Sequence, residues 1–217
     1  MRIAILGGTG KEGSGLALRW ANAGHEIIIG SRDAEKAARV AEELNLALGD
    51  GVARITGAGN LEAAQAGEVV VLTVPYAAHT TTLQSVQPVL AGKVLIDVTV
   101  PVNPADIARV SVPAGGSATL EAQRLLGPEV KVVAAFQNIS FTHLKKLDTA
   151  IDCDVLVCGD DTDAKQTALQ LVQDAGMRGF DAGPADNAIV VEGLTSVLLA
   201  INKRHKIKGA GIRITGV

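Results

Sequence analysis

A glycine-rich turn near the start of the chain constrains the fold more than any other feature of the sequence. Residues 7–13 read GGTGKEG, follow an apolar stretch with a strand pattern and precede an amphipathic helical pattern. Gly8, Gly10 and Gly13 satisfy the GxGxxG spacing. In a dinucleotide-binding βαβ unit, these glycines permit a tight turn, a close approach of backbone N–H groups to a pyrophosphate, and helix–strand packing. We therefore predict a nucleotide site at the N-terminus of the first helix.

The same run also fits a second glycine spacing. Gly7, Gly10 and Gly13 satisfy GxxGxxG, the spacing of short-chain dehydrogenases. Those enzymes use a tyrosine and a lysine four residues later as proton donor and orienting group. The only tyrosine here is Tyr76, and four residues later stands Thr80. We therefore expect this chemistry to be absent.

Strand and helix patterns alternate along the whole chain, which is typical of a doubly wound α/β fold. A Rossmann-type, mostly parallel sheet is expected over residues 1–135, and a smaller C-terminal αβ lobe over residues 136–217. The strand patterns cover residues 2–6, 26–29, 52–56, 68–74, 93–98, 130–135, 154–158 and 178–181. The helical patterns begin near residues 11, 33, 61, 80, 117, 161 and 185.

Composition narrows the classes of protein. Hydrophobic residues make up 47% of the 217 residues and aromatic residues 2%, so Ala, Val, Leu and Ile must build the core. Such a core is usual for parallel strands covered by helices. Few aromatics and a net charge of −3 argue against a nucleic-acid partner. The longest apolar runs, such as 69–74, have the length of a strand, so no membrane partner is expected.

Two cysteines and the N-terminus bear on compartment. Cys153 and Cys158 lie on an apparent strand with their side chains on opposite faces, so they do not pair, and no histidine lies near enough for a zinc site. We expect buried thiols in a reducing cytoplasm and no metal. The first strand begins at Arg2 without the charged and apolar regions of a signal peptide.

The end of the second strand indicates which nucleotide is bound. An NAD site places Asp or Glu there for the ribose 2′-hydroxyl, and that charge would repel a 2′-phosphate. This chain has Ser31 and Arg32 instead, with Lys36 one helical turn further on. A hydroxyl, a guanidinium and an ammonium suit a phosphate dianion. Asp33 and Glu35 are expected to cap the helix, so we predict NADP(H).

Several segments together carry a family likeness. They are MRIAILGGTG (1–10), HEIIIGSR (25–32), LTVP (72–75), DVTVP (97–101), AFQNI (135–139), CGDD (158–161), DAGP (181–184) and KGAGIRITG (208–216). These segments resemble the NADPH-dependent coenzyme F420 reductases, also called F420-dependent NADP oxidoreductases. The resemblance spans essentially the whole chain. It implies hydride transfer between NADP(H) and the deazaflavin coenzyme F420.

The resemblance also implies roles by position for the nucleotide. Thr9, Gly10, Lys11 and Glu12 would cradle the pyrophosphate, between Gly8 and Gly13. The 2′-phosphate would be bound by Ser31, Arg32 and Lys36. The nicotinamide ribose would lie against Thr73, Val74 and Pro75, and the nicotinamide ring would pack against Val100 and Pro101.

The same resemblance implies a second cleft for the deazaflavin ring, stacked on the nicotinamide. Gln137 and Phe141 lie where the family lines this cleft, and Phe141 is large for a position often held by a small residue. The fold is shared with metalloreductase domains that pass electrons to flavin. The alternatives are therefore an NADPH-dependent reductase of flavin, metal or another small acceptor, or a non-catalytic NADP(H) sensor.

Hydride transfer between two stacked rings needs no nucleophile, so catalysis would come from proximity and orientation. His79, five residues after Val74, is the one titratable candidate near the nicotinamide; otherwise it is a helix-start histidine bonded to backbone or solvent. The helical pattern 185–203 carries too many apolar residues for one narrow stripe. Burial on two sides would follow in a homodimer, which we expect, or in a core helix of the monomer.

Overall fold

The strand order of the sheet is that of a Rossmann fold. The computed structural model describes residues 1–49 and 55–217. Eight strands run in the order β3-β2-β1-β4-β5-β6-β7-β8. They are β1 (Arg2–Leu6), β2 (Glu26–Ser31), β3 (Ile55–Gly59), β4 (Val69–Leu72), β5 (Val94–Asp97), β6 (Lys131–Ala134), β7 (Asp154–Gly159) and β8 (Arg178–Asp181). The predicted α/β fold with a mostly parallel sheet is confirmed.

Strands β1 to β6 pair in parallel, β7 runs antiparallel to β6, and β8 runs parallel to β7. The connections are helical. The helices are α1 (Lys11–Asn22), α2 (Ala34–Leu48), α3 (Asn60–Ala66), α4 (Tyr76–Val86), α5 (Ala118–Leu126), α6 (Phe141–Leu144), α7 (Thr162–Asp174) and α8 (Ala188–His205), with 3-10 turns at Gln87–Val89 and Ala185–Asn187.

Both faces of the sheet are buried, as the composition predicts. Alternate residues of a strand point to opposite faces. Ile3 and Ile5 accordingly join the cluster around α1, whereas Ala4 and Leu6 join the cluster beneath α3, α4 and α5. Trp20 is fully buried in the first cluster and donates its Nε1–H to the carbonyl of Leu171 at 2.7 Å. This one large side chain therefore ties α1 to α7.

The elements after residue 135 continue the same sheet. Val133 pairs with Gly159 and Ala134 with Cys158 across the antiparallel β6–β7 contact. Asp154, fully buried at the start of β7, accepts hydrogen bonds from Arg178, Arg213 and the backbone of Ile214. The hydrogen bond from Arg178 and the nearby positive charges lower the pKa of Asp154 to about 2, against the effect of burial. The division of the chain at residue 135 stays a prediction.

Some elements differ in position from the predicted ones. The strand expected at 52–56 falls partly on residues 50–54, outside the described residues, and its described part extends from Ile55 to Gly59. Helix α4 begins at Tyr76 rather than Thr80, because Pro75 supplies an extended residue just before the first turn. Cys153 lies before β7 rather than on it, although both cysteines are buried and not disulfide-bonded.

The polar segment between β6 and β7 is anchored by a buried arginine. The Arg19 guanidinium donates to the carbonyl oxygens of Leu144, His143, Lys146 and Thr149, and to that of Ala175. Sequence reasoning expected this segment to be aperiodic; the structure adds the one-turn helix α6. Because α1 follows the glycine turn directly, Arg19 fixes this segment relative to the candidate nucleotide site.

Helix α8 has a mixed environment. Among the described residues, one helical stretch, Ala185–His205, has the length and apolar composition of a membrane span. That criterion is weak by itself, since a core helix also meets it. The stretch contains Glu192, 2% exposed, whose carboxylate accepts hydrogen bonds from the backbone of Ala118 and Thr119. Burial raises the pKa of Glu192 to about 7 against these hydrogen bonds.

Candidate functional site

A large cleft opens at the carboxyl edge of the parallel strands. Its volume is about 1020 Å³, at the upper end of the range for small-molecule sites. It lies where the strand order reverses between β1 and β4, the usual ligand position in open α/β sheets. Thirteen of the sixteen predicted binding residues line it: Thr9, Gly10, Lys11, Glu12, Ser31, Arg32, Lys36, Thr73, Val74, Pro75, Val100, Gln137 and Phe141.

The remaining three predicted residues, Gly8, Gly13 and Pro101, support the cleft without lining it. A Cβ on Gly8 would lie 2.8 Å from the carbonyl of Ile5, and one on Gly13 would lie 2.6 Å from the Thr73 hydroxyl. Both glycines therefore permit the close packing of turn, helix and strand that the motif predicts. Pro101 is buried next to Val100.

The first turn of α1 faces the cleft without a side-chain cap. Gly10 precedes the helix and makes no side-chain hydrogen bond to it. In contrast, Asp33, Ser117 and Asp161 cap α2, α5 and α7. Uncapped N–H groups at a helix N-terminus suit an anion. A Cβ on Gly10 would have only the carbonyl of Gly7 near it, at 3.3 Å, so packing constrains this position less than it constrains Gly8 or Gly13.

The end of β2 carries a hydroxyl and two cations at the edge of the cleft. Ser31 is 8% exposed and its Oγ accepts the backbone N–H of Asp33 at 3.2 Å. Arg32 and Lys36 are exposed at the cleft edge, and within residues 1–49 and 55–217 neither forms an ion pair. Asp33 caps α2 by accepting the Lys36 backbone N–H at 3.0 Å, as predicted.

The ends of β4 and β5 form the middle of the cleft. Thr73 donates its hydroxyl to the carbonyl of Leu6 at 2.9 Å, which joins β4 to the start of the glycine turn. Val74 and Pro75 follow it along the wall, and Thr99 and Val100 face them from the end of β5. Thr99 is held by its backbone N–H, which donates to Asp97 Oδ1 at 2.9 Å.

His79 does not lie where the sequence placed it. It is 1% exposed and is not among the residues that line the cleft, and its Nε2 lies 2.7 Å from Asp97 Oδ2. It therefore bonds neither backbone nor solvent. Tyr76, three residues earlier on the same face of α4, has its ring centre 6.0 Å from the imidazole. Burial lowers the pKa of His79, but the hydrogen bond and negative charge of Asp97 outweigh burial and leave the pKa above its ordinary value.

The segment after β6 forms the far wall. Phe136 adopts φ 73°, a left-handed conformation rare for an aromatic residue, and its ring packs edge-on against Trp20. This conformation turns the next two side chains. Gln137 donates to the carbonyl of Asp97 at 2.7 Å, and Asn138 to that of Asp154 at 2.8 Å. These hydrogen bonds use the amide nitrogens and fix the orientation of both amides. The Gln137 Oε1 and Asn138 Oδ1 atoms are buried acceptors without partners among the described residues.

Phe141 and Lys11 close one edge of the cleft. Phe141 is 39% exposed, and the Lys11 ammonium lies 4.9 Å from the centre of its ring. This distance is within the range of a cation–π contact. The contact links the glycine turn to the segment after β6, so the two predicted parts of the site meet at this edge.

One wall was missed by sequence reasoning. Thr195, Leu198, Leu199 and Asn202 of α8 line the cleft, with Ala210 of the tail beside them. Asn202 holds the tail by accepting the backbone N–H of Ala210 at 2.9 Å. The available signal was the spacing of Thr195 and Asn202, two polar residues one heptad apart on a mostly apolar helix.

Glu12 is the most unusual group in the cleft. It stands in the first turn of α1, and its Oε1 atom is buried without a partner among the described residues. Burial raises the pKa of Glu12 to about 8. A carboxyl in this state is largely neutral at pH 7 and can donate a hydrogen bond.

The residues present fit a dinucleotide with a 2′-phosphate. The uncapped turn, the pair of cations after β2 and four buried acceptors without partners all face one cleft. The acceptors belong to Glu12, Asn60, Gln137 and Asn138. Across residues 1–49 and 55–217, no group of three or more His, Cys, Asp or Glu side chains is arranged to hold a metal ion.

This fold and site define a Rossmann-type dinucleotide-binding protein. Residues 2–101 match the family described as NADP oxidoreductase, coenzyme F420-dependent. The chain is 44% identical, over all of its length and 99% of the relative's, to the F420-dependent NADP reductase of Methanothermobacter marburgensis. The chain belongs to the family of coenzyme F420-dependent NADP oxidoreductases.

Two further comparisons extend this result. The crystal structure of an Arthrobacter protein assigned as an F420-dependent NADP reductase superposes with a TM-score of 0.82, at 25% identity and 98% coverage of both chains. The metalloreductase STEAP3 of Rattus norvegicus is 30% identical over 91% of this chain, which spans 37% of that protein. The likeness to STEAP3 therefore concerns one part of a longer protein.

Proposed function

We propose that this protein is an oxidoreductase that transfers a hydride between NADP(H) and the deazaflavin coenzyme F420. The observation that carries the proposal is one continuous cleft with a phosphate-binding end at β2 and a second wall formed by the segment after β6 and by α8. The full-length likeness to reductases of that name supports the same acceptor. When NADP(H) is bound, its nicotinamide ring carries the hydride.

The residues of the protein bind the two cofactors and orient their rings. The uncapped first turn of α1 holds the pyrophosphate, while Ser31, Arg32 and Lys36 hold the 2′-phosphate. Thr73 to Pro75, with Val100 and the buried Pro101 behind it, confine the nicotinamide half. Gln137 and Phe141 face the second ring. Holding two reactants in this way lowers the barrier through proximity.

A reductase of flavin, metal or another small acceptor is the second candidate, and the likeness to STEAP3 favours it. A non-catalytic NADP(H) sensor is a third and has no observation of its own in support. Following NADPH oxidation with coenzyme F420 and with flavin side by side separates them. Rapid turnover with F420 supports the proposal, turnover with flavin alone supports the second candidate, and no turnover with any acceptor supports the sensor.

We also infer a homodimer formed through α8. Val190 is 69% exposed, Val197 44% and Ile201 38%, so one side of this helix presents apolar side chains to solvent in the single chain. Val110, 43% exposed in the loop before α5, lies beside this helix, since a Cβ on Gly193 would be 3.2 Å from its Cγ1. Sedimentation equilibrium tests this: a dimer that Val190→Glu dissociates is expected, and a monomeric wild type contradicts it.

The proposed partners are small-molecule redox cofactors rather than nucleic acid or a membrane, and the proposed compartment is the cytoplasm. Cys153 and Cys158 are buried and free, which suits a reducing compartment. Burial raises the pKa of Cys158 to about 11, so its thiol is unreactive at neutral pH.

A further inference from the structure

Glu12 lines the cleft from the first turn of α1. Gly15 and Arg19, three and seven residues further along α1, contact the segment after β6: a Cβ on Gly15 would meet Leu144, and Arg19 binds the carbonyls of residues 143 to 149. Glu12 lies on the same face of the helix as both. Its neighbour Gly13 packs against Thr73 at the end of β4. The face of α1 that carries Glu12 is therefore turned toward the end of β4 and the segment after β6, the half of the cleft to which the proposed function assigns the nicotinamide.

No charge within residues 1–49 and 55–217 compensates this carboxyl. It forms no ion pair, and burial alone accounts for its raised pKa. Charged or titratable groups stand on the surrounding elements, and none of them forms an ion pair with Glu12: Lys11 and Arg19 on α1; Arg32, Asp33 and Lys36 after β2; His79 and Asp97 behind the wall; His143 on α6; Glu192 and Lys203 on α8. None donates to Glu12, so a buried proton-binding group faces the cleft alone.

The two forms of the nucleotide differ by one charge in the half of the cleft that Glu12 faces. The nicotinamide ring is neutral in NADPH and cationic in NADP⁺, while the phosphates are the same. A carboxylate is stabilised by an adjacent cation, and an opposite charge within about 4–6 Å lowers a carboxyl pKa by about 1–3 units. From a value of about 8, such a decrease ionises the group at neutral pH.

We propose that Glu12 is the charge-compensating residue of the nicotinamide half, holding a proton on its carboxyl when the cleft contains NADPH and releasing it when the cleft contains NADP⁺. Charge and protons balance in this exchange. Loss of a hydride with its electron pair would give a bound nicotinamide ring a positive charge, and the O–H bond of Glu12 would then break to leave a carboxylate. The released proton goes to solvent and matches the proton that the reduced acceptor takes up in the overall reaction.

This inference depends on the nucleotide half of the proposed function and not on the acceptor. It is tested without F420, by calorimetric titration of the protein with NADP⁺ and with NADPH in buffers of different ionisation enthalpy near pH 7. The wild type is expected to release up to about one proton per NADP⁺ bound and fewer with NADPH. Glu12→Gln keeps the shape of the side chain but cannot ionise, so it is expected to release none beyond the 2′-phosphate contribution, which both nucleotides share.

The affinity ratio gives a second readout. The preference of the wild type for NADP⁺ over NADPH is expected to increase by about tenfold or more from pH 6 to pH 9, as a carboxyl pKa decrease of 1–3 units requires. The ratio for Glu12→Gln should be flat. Glu43→Gln is the matched control, since Glu43 is exposed on α2 and outside the cleft. It should behave as the wild type.

Infrared difference spectroscopy of the glutamate-labelled wild type needs no variant. Adding NADP⁺ should remove a carboxylic-acid band and produce a carboxylate band, and adding NADPH should leave the acid band. A wild type that releases no excess proton with NADP⁺, or a Glu12→Gln variant that releases as many, overturns the inference. If F420 proves inert while the excess proton release is seen, the acceptor assignment fails and this inference stands.

Discussion

The imidazole of His79 lies 2.7 Å from Asp97, behind the wall of the cleft, with both side chains almost fully buried. Asp97 holds two parts of that wall. Its Oδ1 accepts the backbone N–H of Thr99 at 2.9 Å, and its carbonyl accepts the Gln137 amide at 2.7 Å. His79 thus acts on the cleft through Asp97, which makes it a positioning residue.

The pair predicts a pH dependence of stability. The pKa of His79 is raised above 6.5 in the folded state. The stabilising contribution of the His79–Asp97 pair to the free energy of unfolding is therefore fully present below the unfolded pKa, and it is lost as the pH rises through the folded pKa. His79→Gln should remove this part of the dependence while keeping a neutral donor to Asp97. Urea unfolding of both proteins from about pH 5.5 to 8.5 measures it. Parallel stability curves for the two proteins would show that the pair does not titrate in this window.

The exposed cations after β2 predict nucleotide preference. Arg32→Ala should weaken NADPH binding by about 1.5–3 kcal/mol, the range of a charge-assisted hydrogen bond, and hardly change NADH binding. Arg39→Ala, an exposed change on α2 outside the cleft, is the control and should affect neither. Fluorescence titration of both nucleotides measures this, and an equal loss for NADPH and NADH rules out the 2′-phosphate assignment.

The glycine turn predicts opposite effects at two positions. Gly10→Val places its side chain in the ligand space, where a Cβ has only one neighbour at 3.3 Å, so NADPH binding should be lost while the fold survives. Gly13→Val places a Cβ 2.6 Å from the Thr73 hydroxyl, so it should lower the thermal unfolding temperature as well. Calorimetric scans and NADPH titration separate the two effects. Near wild-type affinity in Gly10→Val would show that the turn is only structural.

Local rules predicted the nucleotide half well. The GxGxxG spacing, the alternation of strands and helices and the residues after β2 each follow from contacts between near neighbours in the chain, or from the edge shared by parallel strands. The cap formed by Asp33 and the left-handed Gly24 after α1 agree with the same rules.

The second half depends on contacts between distant residues, which patterns do not reveal. His79 binds Asp97 rather than the cleft because α4 begins one turn earlier than expected. The α8 wall faces the cleft because Glu192 binds the start of α5 and fixes the rotation of the helix. Thr195 then donates its hydroxyl to the carbonyl of Gln137 at 2.7 Å, a contact across 58 residues.

Direct transfer of label tests the central claim most directly. NADPH deuterated on one face of the nicotinamide is mixed with F420 and the protein, and the reduced deazaflavin is examined by mass spectrometry and NMR. We predict that the deuterium from one face of NADPH appears at the acceptor carbon, because the proposed function places the two rings together in one cleft. Reduced deazaflavin that carries no label from either face, or a protein that oxidises NADPH only with aldehydes, ketones or hydroxy acids, would contradict it.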